Sequence, residues 1–180
     1  MDVSRQTSNL FGQAYSTITE VRDKQLKYIN GKLEEAKQAG KDAEACLNAV
    51  SAKMTSAAKT GYSEVDVSLS QAKKASNDAI QEFKKLKTTG QQLTNRLDRI
   101  SLECYSSDIQ QMGNCMITKL ALVNMDIRQY QQTVSQMESS LSETKRNIIQ
   151  QQRSSNQSAT SKVQSVSIST IYDAADCLKR

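Results

Sequence analysis

A chain of 180 residues has room for one domain and is short for two. It carries no His, Trp or Pro, six Gly, 4% aromatic and 24% charged residues, and a net charge of +5. The missing imidazole excludes Ser-His and Cys-His dyads, His-ligated metals and the Glu-x-x-His motif of di-iron bundles. The singly scattered Gly exclude a phosphate-cradling loop, and apolar runs no longer than Leu120-Ala121-Leu122-Val123 exclude a membrane span.

A Pro-free chain rich in Ala, Gln, Lys, Glu and Leu is expected to be helical. The first tract, Ile29, Leu33, Ala36, Gly40, Ala43, Leu47, Val50, Met54 and Ala57, alternates steps of four and three. That spacing places an apolar seam along one helix, predicted over about 4–60 and ended by Gly61 as a C-cap. A capping box from Ser63 to Asp66 starts the second helix, about 63–105, whose seam runs Val65, Leu69, Ala72, Ser76, Ala79, Phe83, Leu86, Gly90, Leu93, Leu97, Ile100 and Cys104. Ser106-Ser107-Asp108 supplies N-caps for a third helix, about 108–150, with Met116, Leu120, Val123, Ile127, Tyr130, Val134, Met137 and Leu141 in its seam. The polar stretch 150–158 is expected to be a loop, and Val163, Val166, Ile168, Ile171, Ala174 and Leu178 mark a shorter fourth helix, about 159–179.

The expected fold is all-α: one elongated antiparallel bundle over 1–180, of three long helices and a shorter C-terminal fourth. Folding the first helix back about Gly61 sets Gly40 against Phe83 and Leu33 against Gly90, small against large, as a packed seam requires. Folding the second on the third sets Phe83 near Tyr130. These five positions are either close approaches or the walls of a cavity. The Lys84, Lys85 and Lys87 cluster beside Glu82 is expected to be a solvated helix face, and the scarcity of aromatic residues also argues against nucleic-acid binding.

Four Cys, at 46, 104, 115 and 177, form no Cys-x-x-Cys motif, so zinc and redox roles are weakly supported. In this bundle Cys177 returns to the level of Cys46, while Cys104 and Cys115 flank one turn, which favours pairing 46–177 and 104–115. A chain helical through 104–115 would place those two Cys on one face and favour 46–104 with 115–177, so both pairings stay open. Disulfides imply an oxidising compartment, hence a secreted protein whose leader has been removed. Asn156-Gln157-Ser158 is a sequon for N-glycosylation in the expected loop.

Three cysteine blocks carry a resemblance: Ala36-Lys37-Gln38-Ala39-Gly40-Lys41-Asp42-Ala43-Glu44-Ala45-Cys46-Leu47; Leu102-Glu103-Cys104 with Cys115 after ten intervening residues; and Tyr172-Asp173-Ala174-Ala175-Asp176-Cys177-Leu178. They resemble the secreted insect proteins with the domain named after the tsetse fly EP protein, over about 36–178. The Glu-Pro repeat of the founding member is absent. The resemblance implies a secreted, helical, disulfide-bonded insect protein of gut or other secretory epithelia.

The expected function is non-enzymatic: a structural or interaction protein acting through helix faces or self-association, with no cofactor and no metal. The alternative is a carrier of an apolar ligand or lipid between the helices, with Met54, Met112, Met116, Met125 and Met137 lining space. Opening of the bundle onto lipid is opposed by the disulfides, and stable membrane insertion is not expected. The expected partners are therefore another protein, a second copy or an apolar ligand.

Overall fold

In the computed structural model, which describes residues 3–179, three helices hold nearly the whole chain: α1 (Val3–Gln38), α2 (Glu44–Glu103) and α3 (Ile109–Cys177). Among the described residues there is no strand. No helix is long and apolar enough to cross a membrane. The chain divides into two compact units, Met1–Ala75 with Asn147–Arg180, and Ser76–Arg146.

The helix ends differ from the expected ones in two places, each for a local reason. The first helix stops at Gln38, not near residue 60. Gly40 takes φ +64°, its N–H bonds to Lys37 O at 3.1 Å, and the Lys41 N–H bonds to Ala36 O at 2.9 Å. This is a Schellman end, in which a residue without Cβ turns the chain and satisfies carbonyls left over by the helix. Gly61, expected as that end, lies inside α2. A Cβ there would come within 2.6 Å of Val163 Cγ2 and 3.1 Å of Ile18 Cδ1, so Gly61 is a point of close helix approach. No capping box forms at Ser63, because α2 runs through it.

The second correction concerns 150–158, which is helix rather than loop, so no separate fourth helix exists. Its polar appearance has a packing cause. Gln152 and Asn156 face the interior, where Gln152 Nε2 donates to Thr7 O and Asn156 Nδ2 donates to Leu10 O, both at 3.0 Å. Each accepting carbonyl belongs to α1 and has a second lone pair beyond its own helix bond.

The first unit is a three-helix bundle. Its α1 and the end of α3 run parallel, since Thr7, Leu10 and Gln25 meet Gln152, Asn156 and Ser167 in the same order. The first part of α2 runs antiparallel to both. Lys53 pairs with Asp173 and Glu64 with Lys162, while Tyr62 stacks on Tyr15 at 4.4 Å between ring centroids. The Thr19 hydroxyl donates to Tyr15 O and so accepts from the Tyr62 hydroxyl at 2.8 Å. Ile18, Ile29, Leu47, Met54, Val65 and Val163 form the centre of the core. Along α2 the buried positions 47, 50, 54, 58, 61, 65, 68 and 72 recur at about 3.6 residues, the period of a straight helix. Met54 to Ala58 is therefore a four-step where the expected seam continued to Ala57. Such a stutter unwinds a supercoil locally.

The second unit is a helical hairpin, formed by the end of α2 and the start of α3. Asp108 caps α3, its Oδ1 accepting from the N–H groups of Gln110 and Gln111 at 2.8 and 3.2 Å. Cys115 sits level with Cys104, 5.5 Å away between Cα atoms, so the first turns of α3 lie beyond the end of α2. Ile100, Cys104 and Val123 are buried between the two helices, with Cys115, Met116 and Ile127 packed against them. The Tyr130 hydroxyl lies against Gly90, at 2.6 Å from where a Cβ would be.

Candidate interaction surface

The hairpin of the second unit has two broad faces that differ in chemistry. Arg96 pairs with Asp126 and Glu103 with Lys119. Within each helix the paired residues are seven apart, close to two full turns, so both ion pairs bridge the same face. The Lys119 ammonium, first by its hydrogen bond and then by its charge, holds the Glu103 carboxyl below the usual range. Shallow grooves lie on this face. One of about 400 Å³ is lined by residues including Arg96, Asp126, Gln129 and Thr133.

One residue on from Arg96 and from Lys119, about 100° around each helix, stand Leu97 and Leu120. They lie past the buried seam, on the opposite face. Phe83 falls there too, two heptads before Leu97, with Ile80 beside it and Ile117 one turn from Leu120. Phe83 is 54% exposed, Ile80 48%, Leu120 43% and Leu97 37%. Leu102, Tyr105 and Ile109 at the hairpin end are exposed as well. Among the described residues most of the large exposed apolar ones belong to this unit, the others being Val67, Ile168, Ile171 and Tyr172.

In the first unit the equivalent pair of helices also carries its ion pairs on one face. There the other face is covered by α1, through Ile18 against Gly61 and Tyr15 and Thr19 against Tyr62. The second unit consists of two helical segments and holds no third helix of its own.

The expected site residues are distributed as follows. Cys46 is bonded to Cys177 and Cys104 to Cys115, leaving no free thiol. Of the five seam positions, the structure brings together Gly90 and Tyr130. Gly40 is the exposed helix end and Leu33 packs on the core of the first unit, whereas Phe83 is largely bare. The space in front of Gly61 and Gly90 is filled by side chains, so neither lines a hole. Asn156 is 5% exposed and its amide nitrogen is bonded to Leu10 O, which leaves no room for a glycan in this bundle. Among the described residues no cluster of three or more potential metal ligands occurs.

Leu97, Leu120, Ile80 and Ile117 were not legible as an exposed set. The periodicity marks a seam without saying how many helices share it, and a first helix running to residue 60 would have supplied more cover. The small, polar run Ala39-Gly40-Lys41-Asp42 was the signal for the earlier break.

Comparison with protein-family models, with curated proteins and with solved structures finds no match. Function rests on the geometry of this chain alone.

Proposed function

We propose that this is an extracellular, non-enzymatic interaction protein, and that its working surface is the bare apolar face of the 76–146 hairpin. The observation that carries the reading is the contrast between the two faces, one bridged by two ion pairs with Leu122 exposed beside them, the other presenting Phe83, Ile80, Leu97 and Leu120 to solvent without an ion pair across it. The largest contiguous apolar patch on a monomer, roughly 300–600 Å², is often a functional contact surface. The two disulfides are consistent with an extracellular protein. The resemblance of the cysteine blocks to the tsetse EP-type domain supports the same compartment. The carrier alternative draws no support from the grooves, which are open to solvent and each carry polar or charged side chains, as in the one formed by Ser63, Glu64, Gln71, Ser154, Ser158 and Lys162.

The test is chemical cross-linking in the extracellular fluid of the source, comparing the intact chain with a Phe83→Lys variant. The native chain is expected in a cross-linked species that the variant fails to form. Equal cross-linking of both, or of neither, rejects this face as the working surface.

A further inference from the structure

We infer that the occupant of this face is a second copy of the same chain, packed with the two α2 segments antiparallel about a two-fold axis at the level of Gly90. This rests on the reading of the hairpin face as the working surface, and it names the partner.

Three observations point to a like partner. The first is spacing. Phe83 and Leu97 lie seven residues either side of Gly90, on one face of α2. A two-fold axis at Gly90 therefore places Phe83 of each copy on Leu97 of the other, as an isologous interface requires. Ile80 stands one turn beyond Phe83, on the side of α2 away from α3, and Leu120 flanks Leu97 on α3. Each copy thus offers Phe83 and Leu97 as the positions that exchange places.

The second observation is charge. Residues 76–146 carry nine basic and eight acidic groups, so two such hairpins meet without strong mutual repulsion. At the outer edge of the apolar face stand Lys84 and Asp98, exposed and unpaired among the described residues. The same axis brings Lys84 level with position 96 of the other copy, about 3 Å along the helix from Asp98 and within reach of a lysine side chain. The contact occurs twice in the dimer.

The third observation is the first unit itself. There the corresponding face of α2 and α3 is closed by a further helix of this chain, α1, with apolar and aromatic side chains meeting a close-approach glycine. A helix of the same sequence character is a fitting cover for the second unit. In the antiparallel pair that cover is the hairpin of the partner, α2 on α2 and α3 on α3.

The experiment is sedimentation of the intact, disulfide-bonded chain across a wide dilution series. The weight-average mass is expected to rise from one chain to two. Phe83→Lys, at an exposed position that leaves the fold intact by circular dichroism, is expected to weaken association roughly a hundredfold. Asp98→Lys is expected to weaken it about tenfold, since the contact is made twice, and combining it with Lys84→Asp is expected to restore it. A chain that stays monomeric throughout overturns the inference, as does a dimer indifferent to Phe83→Lys. A charge reversal that fails to restore association overturns the antiparallel arrangement. The two proposals fail separately: a monomer whose Phe83-dependent cross-link in source fluid has the mass of a different protein removes self-association and keeps the working surface.

Discussion

Replacing Gly61 by Ala discriminates sharply between an interior glycine and a helix end. In a helix interior, Ala for Gly returns about 1 kcal/mol of helix propensity. At Gly61 the new methyl group would sit 2.6 Å from Val163 Cγ2 and 3.1 Å from Ile18 Cδ1, and both residues are at most 1% exposed. Neither side chain can swing into solvent, so overpacking is expected to cost about 1–3 kcal/mol. Gly31, inside α1 with nothing within 4 Å of its Cβ position, carries the propensity gain alone. The two variants are therefore expected to differ by about 1–3 kcal/mol, with Gly31→Ala more stable than the native chain and Gly61→Ala at or below it. For a chain of this size each kcal/mol corresponds to about 2–4 °C in Tm. The assay is urea unfolding with both disulfides intact, read in the near-ultraviolet signal to which the stacked Tyr15–Tyr62 pair of the first unit contributes. Equal stabilisation by both substitutions would refute the close approach at Gly61.

Removing the Cys46–Cys177 bond, which spans 131 residues, is expected to cost more than removing Cys104–Cys115, which spans 11. Loop-closure entropy puts the two at about 5 and about 3 kcal/mol, so paired Cys→Ser variants that unfold at the same denaturant midpoint contradict that ordering. Digestion of the folded, source-purified protein with an N-glycosidase is expected to leave its mass unchanged, because Asn156 is enclosed and hydrogen-bonded; a mass loss at Asn156 contradicts the packing of α3 on α1. Lys119 holds the Glu103 carboxyl below its usual range, so the pair's contribution is present above the unfolded carboxylate range and is lost as pH falls through the folded value. Glu103→Gln is expected to flatten the acid side of the stability profile slightly, the pair being exposed, and an unchanged acid slope counts against this linkage.

The helical class and much of each seam were legible because seam periodicity survives in any helix that buries one side, but the pairing was not, since Tyr130 meets Gly90, one heptad from the expected Phe83. The turn between α2 and α3 was legible too, since Asp108 is a strong N-cap next to a slip in apolar phase. The end of α1 was not, because Gly40 and Gly61 look alike in sequence. What separates them is that one takes φ +64° in the open and the other faces Val163. Residues 150–158 were illegible for a different reason. Gln152 and Asn156 occupy core positions through bonds to α1 carbonyls, which a polarity pattern records as surface. The error at α1 also hid the candidate surface, since an α1 reaching residue 60 would have been long enough to cover Phe83 and Leu97.

The central claim, that the bare face of the hairpin closes on a second copy, is tested most directly by side-chain footprinting of the intact chain at low and high concentration. Phe83, Leu97 and Leu120 are expected to lose labelling as concentration rises, while Tyr172 of the first unit, 69% exposed, is labelled equally throughout. Unchanged labelling of Phe83 and Leu97 at every concentration would contradict it.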